Sequence, residues 1–346
     1  MGGTEVATSS VGTQSGTSQG EVGESAEPSD DEGVLLDVGA PSTEGADEGN
    51  GEAGCHKVDF LFVIDNSGSM SDEQDNLINS FGGFIDTIRQ TVKAQDYQIM
   101  VVDTDASGGG SSSITCTNGD CSCTPVPACC ETLCNGLGDS CNGVPCDMLP
   151  GGECDGTLGA GKIFRNDGTQ CLDEPGPRFM TQDDADLGEK FACVGEVGTF
   201  GDGNEQPMAA MLAAVGPELG AMGACNEGFV RDDAILVVTF ITDEEDVEKS
   251  PGDPPDWKAG VIAAKNGNAD AVVVLGLLGD TDQPGAICGP FMDESGAEPG
   301  VRLREFTESF GNRGVVGSVC AADYAPFFQE AVAVIDLACE EFVPEG

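Results

Sequence analysis

One apolar run, Val58-Asp59-Phe60-Leu61-Phe62-Val63-Ile64, leads straight into Asp65-Asn66-Ser67-Gly68-Ser69-Met70. A run this apolar reads as a strand buried on both faces, the pattern of a parallel sheet covered by helices on either side. It ends where Asp65, Ser67 and Ser69 gather one carboxylate and two hydroxyls in the loop beyond the strand. In open α/β sheets ligands bind at the carboxyl ends of strands. These hard oxygens suit Mg²⁺, which takes about six oxygens in an octahedron and usually keeps several waters.

Further segments alternate in the way such a sheet requires. Ser71-Asp72-Glu73-Gln74 fits a capping box. Leu77, Ile78, Phe81, Phe84, Ile85, Ile88 and Val92 then recur at three and four, predicting an amphipathic helix over residues 72–93. Tyr97 to Asp103 is the second strand. Pro207 fits a helix start, with Met208, Met211, Leu212 and Val215 as its buried stripe. Strands follow at 234–241, 271–278 and 314–319, and helices at 257–265, 301–310 and 326–342. Alternating strands and helices predict an α/β fold, a doubly wound, mainly parallel sheet flanked by helices.

Two stretches fall outside this alternation. Residues 1–54 are rich in Gly, Ser, Thr, Glu and Asp, with Val34-Leu35-Leu36 the sole apolar cluster. Such a segment cannot offset its ordering entropy and is expected to be a disordered acidic linker. Residues 104–198 lose all periodicity, and ten cysteines lie between Cys116 and Cys171. This reads as an insertion held by disulfides. Zinc is the rival, but the spacings do not repeat as paired CxxC knuckles. The folded domain then covers 55–342, interrupted by 104–198, with 343–346 as a tail.

The sixteen cysteines, with one histidine, favour an oxidising, extracytoplasmic location. Met1-Gly2-Gly3-Thr4-Glu5 has neither the basic start nor the apolar core of a leader, so a leader missing from this sequence is expected. No stretch is long enough to span a membrane. The 62 acidic residues against 14 basic give a formal net charge of -48, which argues against nucleic acid and anionic membranes as partners.

The strand, the Asp65-x-Ser67-x-Ser69 loop and the capped helix resemble the von Willebrand factor type A family, with its metal-ion-dependent adhesion site. The resemblance covers residues 55–342 apart from the insertion. It implies that Ser67 and Ser69 ligate Mg²⁺ directly, with Mn²⁺ or Ca²⁺ as alternatives. Asp65 and Asp243 would act directly or through water, and Thr199 would be the intervening threonine. Two features depart from the family. Glu244-Glu245-Asp246 follows Asp243 where a glycine is usual, and the loop from Phe200 to Gln206 is longer and more acidic. The linker resembles the stalk of bacterial surface lipoproteins, whose anchoring cysteine is not in this sequence; a plain solubilising tail is the alternative.

Three disulfides are expected from the layout: Cys55 with Cys339, as in some members of the resembled family, Cys193 with Cys225, and Cys288 with Cys320. The acidic runs Asp243-Glu244-Glu245-Asp246 and Asp183-Asp184-x-Asp186 are candidate Ca²⁺ sites or solvated surface. Enzyme readings are poor. His56 sits at the domain edge, Asp65 to Ser69 is not a nucleophile elbow, and the glycine clusters lack the lysine of a phosphate loop. The resemblance implies a monomeric, cell-surface or secreted adhesion module that binds a protein carboxylate through Mg²⁺. A structural envelope protein and a metal-dependent hydrolase are the alternatives.

Overall fold

The computed structural model describes residues 55–91, 96–104, 140–141, 144–145, 153–165, 169–199, 201, 205–247, 250–291 and 296–343. The expected linker over 1–54 lies outside them, as do residues 105–139 of the expected insertion and 344–346 of the tail.

The principal elements are β1 (Lys57–Ile64), α1 (Ser71–Thr91), β2 (Asp96–Asp103), β3 (Met180–Thr181), α2 (Leu187–Gly195) and α3 (Pro207–Ala214). They continue with β4 (Ile235–Ile241), α4 (Pro254–Ala263), β5 (Val272–Leu278), α5 (Val301–Glu308), β6 (Gly314–Ser318) and α6 (Ala325–Glu341). Six strands form one sheet in the order β6-β5-β4-β1-β2-β3. All neighbours are parallel except the two-residue β3, which pairs antiparallel to β2. The result is a mixed α/β domain with a mostly parallel sheet and helices on both faces.

Burial explains why β1 is almost wholly apolar. Phe60, Phe62 and Ile64 face α1, α2 and α6, among Phe81, Phe84, Phe191 and Phe328. Phe62 meets Phe191 edge-on at 5.0 Å and Phe81 at 6.0 Å between ring centroids. Leu61 and Val63 face the opposite layer, with Met208 and Met211 of α3, Trp257 of α4 and Phe306 of α5. Burying each of these large side chains contributes roughly 1.5–3 kcal/mol. The methionines are core, as their helical spacing implied.

Asp59 is the one acid within the run, and it is buried. The Arg231 Nε donates to it at 2.7 Å and the Arg231 backbone N at 2.8 Å, while the same guanidinium reaches Asp96. Burial outweighs this pairing and pushes the Asp59 carboxyl up to about 6.

Among the described residues four disulfides join Cys55 to Cys339, Cys154 to Cys225, Cys171 to Cys193 and Cys288 to Cys320. The expected pairing of Cys193 with Cys225 does not occur. Cys193 lies on α2, whose Phe191 and Val194 pack on the α1 side of the sheet. Cys225 lies near Phe229 on the opposite side, so the sheet separates the two thiols. Each therefore bonds a cysteine of the segment between β2 and α2. Ile163, Leu172, Phe179 and Met180 of that segment are also buried. Packing as well as disulfides fastens its described part.

The Cys55–Cys339 bridge closes 284 residues and the Cys288–Cys320 bridge 32, a chain-entropy difference of about 2 kcal/mol. Urea unfolding of the two paired Cys→Ser variants should show the Cys55/Cys339 variant losing more stability by about that amount.

Candidate metal site at the strand ends

The site follows from sheet register. Ile64 of β1 pairs with Ile241 of β4, so the residues just beyond both strands emerge side by side. The Asp65 backbone N donates to the Ile241 carbonyl at 3.0 Å, and the Thr242 N to the Leu277 carbonyl at 3.1 Å. The chain leaves β1 toward β2 on one side, whereas β4, β5 and β6 fill the other. The strands that follow β1 and β4 thus lie on opposite sides of this pair, the position where open α/β sheets bind ligands at their carboxyl ends.

Asp65, Ser67, Ser69 and Asp243 come together there. The Ser67 hydroxyl lies 3.3 Å from the Ser69 hydroxyl and donates to Asp243 Oδ1 at 3.4 Å. Asp65 Oδ1 accepts from the Ser67 backbone N at 2.7 Å, and Oδ2 accepts from the Thr242 hydroxyl. Both Asp65 oxygens are thus engaged. Asp243 Oδ2, by contrast, is buried with no hydrogen-bond partner. Ser69 is exposed and Ser67 buried, so the cluster opens outward at Ser69.

Thr199 lies on the loop after α2. Its carbonyl oxygen sits 3.9 Å from the position a Cβ at Gly68 would take, so the Thr199 backbone abuts the serine loop. Gly201 donates its N–H to the Asn66 carbonyl at 3.0 Å. A Cβ at Gly201 would overlap the Asn66 amide, which would have to shift. The structure therefore places the Thr199 backbone beside the cluster.

Gln74 fastens these segments. Its Nε2 donates to the Asp65 carbonyl at 3.1 Å and to the Gly198 carbonyl at 2.7 Å, while its Oε1 accepts from the Gly198 N at 3.2 Å. The sequence pattern made Gln74 the distal half of a capping box. Helix α1 instead starts at Ser71, and the Gln74 backbone N bonds the Met70 carbonyl at 3.0 Å. Its side chain is thereby free to bind the loops. Thr242 and Gln74 are the functional positions that motif reading passed over. Their roles depend on which distant backbone groups stand opposite them.

In the run after Asp243, Glu245 and Asp246 are buried rather than solvated. Asp246 is buried and accepts from the Met208 N at 3.2 Å and the Ser250 N at 2.7 Å, capping α3. Glu245 is buried and accepts from the Arg302 N at 2.7 Å, capping α5. Helix N-termini bind carboxylates in this way. In the second run, Asp184 pairs with Lys190 at 2.5 Å and accepts from the Thr181 N at 2.6 Å.

Three carboxyls at the rim are held above their ordinary values. Burial, followed by the nearby Asp243 charge, pushes the Asp65 carboxyl up to about 7 despite its Thr242 and Ser67 bonds. Burial likewise raises Asp243, with Glu244 adding to the effect. Glu73, at the start of α1, is pushed to about 8 by burial, then by Asp72 and Asp243, and its Oε2 has no hydrogen-bond partner. Among the described residues no group of three or more His, Cys, Asp or Glu is disposed to hold a metal ion. The candidate set has two carboxylates and takes its other oxygens from hydroxyls, a composition suited to Mg²⁺ with retained waters. The unpartnered Asp243 oxygen, and carboxyls raised by burial and mutual repulsion, both fit a cation here.

Two outcomes follow. Gln74→Ala should weaken Mg²⁺ affinity by about 10–100-fold, as loss of an outer support does, measured by isothermal titration. The Asp65 carboxyl, raised from 3.8 to about 7, binds more protons in the folded than in the unfolded state between those values. The metal-free protein should therefore lose stability as pH rises from about 4 to 7. Added Mg²⁺ should restore it at the upper end, and thermal melts across that range with Mg²⁺ or chelator read both effects.

No family model matches the chain, and no curated protein matches it. Among solved structures it is similar to proximal thread matrix protein 1 from the mussel byssus, at 15% identity and a TM-score of 0.34. The match covers 83% of this chain and 46% of that one, so the chain spans less than half of that protein's length. A likeness this slight carries no argument about fold or function.

Proposed function

We propose that the chain is a von Willebrand factor type A-like module, with a doubly wound sheet, that binds an acidic protein ligand through Mg²⁺ at the strand ends. The observation carrying this reading is the single cluster of Asp65, Ser67, Ser69 and Asp243, in which Asp243 Oδ2 is buried without a partner. Ser67 and Ser69 would hold the cation through neutral hydroxyls. Asp243 would supply charge through its unpartnered oxygen. Asp65, with both oxygens already hydrogen-bonded, would act through water, and Thr199 from the adjoining loop.

A bound cation supplies an electrophilic position that a partner's carboxylate can fill. This chain could not otherwise attract such a group, since its formal net charge is -48. The same arrangement could take Mn²⁺ or Ca²⁺. Four disulfides fit a location outside the cytoplasm, secreted or at a cell surface. Among the described residues no helix is long and apolar enough to cross a membrane.

Isothermal titration with Mg²⁺ tests the reading. Asp243→Ala should abolish measurable binding, and Ser67→Ala and Asp65→Ala should each weaken it at least about tenfold. Unchanged affinity in both Ser67→Ala and Asp65→Ala would remove the site.

A further inference from the structure

Apolar side chains stand exposed beside the cation cluster. Among the described residues eight large hydrophobics are exposed; Val247, Ile287 and Phe291 lie on the chain that follows β4 and β5, and Val301 opens α5 beyond β5. They are 56%, 60%, 39% and 51% exposed. Exposed apolar residues gathered at one place mark an interaction surface, whereas scattered ones do not.

Hydrogen bonds tie the segments that carry these residues to the chain around Asp243. The Glu298 N donates to the Asp243 carbonyl at 2.8 Å, and the Glu245 N to Glu298 Oε2 at 3.0 Å. Ala297 pairs in parallel with Pro290, the residue before Phe291. The Arg302 side chain bonds the Asp246 carbonyl, which adjoins Val247, while the Arg302 N bonds Glu245 beside it. Val247 and Val301 therefore flank one hydrogen-bonded junction. Ile287 is held on the same side by its N–H to Asp280 at 3.0 Å. Neighbouring backbone segments in such pairings lie about 5 Å apart. An extended chain advances about 3.3 Å per residue, so a partner segment that engages the cluster can continue along these connected segments.

Charge narrows the partner. Glu244, Asp280 and Glu298 line this rim, half-exposed. Arg302 is engaged with the Asp246 and Gly252 carbonyls and lies over the Trp257 ring at 4.7 Å, and Arg304 is paired with Asp282. A second partner carboxylate here would meet repulsion, whereas an apolar side chain would bury surface without an electrostatic cost.

We propose that Val247, Ile287, Phe291 and Val301 form a docking strip for a protein segment with one carboxylate flanked by apolar residues. The carboxylate engages the cation cluster and the flanks cover the strip. The proposal rests on the cation-site reading above and defines the ligand class of that site.

The test compares two capped tripeptides in saturating Mg²⁺, one with aspartate between leucine and phenylalanine, the other with aspartate between two serines. Binding is read by competition against a fluorescent copy of the first. The apolar peptide should bind about tenfold or more tighter, the effect of burying even one large apolar side chain. The Val247→Ser/Val301→Ser variant should lose most of that preference, with Mg²⁺ affinity measured alone unchanged. Equal binding of the two peptides overturns the strip, as does a preference that survives in the variant. Mg²⁺ binding with neither peptide retained also overturns the strip but leaves the cation site standing. Failure of the wild-type protein to bind Mg²⁺ overturns both.

Discussion

The register between β1 and β4 is the constraint on which the site depends. Pairing Ile64 with Ile241 places Asp65 beside Thr242 and brings Asp243 within reach of Ser67, although 176 residues separate those last two. A slip of one residue would reverse the alternation of side chains on a strand. Here both faces of β1 are packed, with Phe62 among the rings of one layer and Val63 against the other. A slip would therefore disturb two cores at once. The hydrophobic interior fixes the polar site as a consequence.

Polar groups at the two ends of the sheet are treated differently. At the amino end, the buried Asp59 is matched by Arg231. At the carboxyl end, Asp65, Glu73 and Asp243 are buried together, all raised above their ordinary values. Burial of like charges without a counter-charge is unfavourable unless protons or a cation relieve it. At the amino end the chain supplies the counter-charge itself, although burial still holds Asp59 above its ordinary value. At the carboxyl end the carboxyls are raised by burial and by one another.

The surrounding acids show how proximity in sequence can mislead. Asp243 to Asp246 is a continuous acidic run, yet its members do separate work. Asp243 faces the serine loop, Glu245 caps α5 and Asp246 caps α3. Two helices are thereby anchored to the loop that carries the candidate ligand. Any shift of Asp243 must move against those caps, which gives the site rigidity of the kind ligand geometry requires.

The sequence by itself determined the central elements and most of the cluster. Apolar runs flanked by helix periodicity located β1, β4 and β5 to within a residue, because burial on both faces leaves few compositions open to such strands. Asp65, Ser67 and Ser69 were legible because they lie close together in the chain, and Asp243 because it ends a second buried strand. Tertiary structure alone decided the rest. It paired Cys193 with Cys171 rather than Cys225, since the sheet stands between the latter two. It turned Gln74 from a cap into a clasp for Asp65 and Gly198, and gave Thr242 to Asp65. Each of these contacts joins groups whose meeting depends on register and on which face a helix occupies, and no local pattern of residues encodes either.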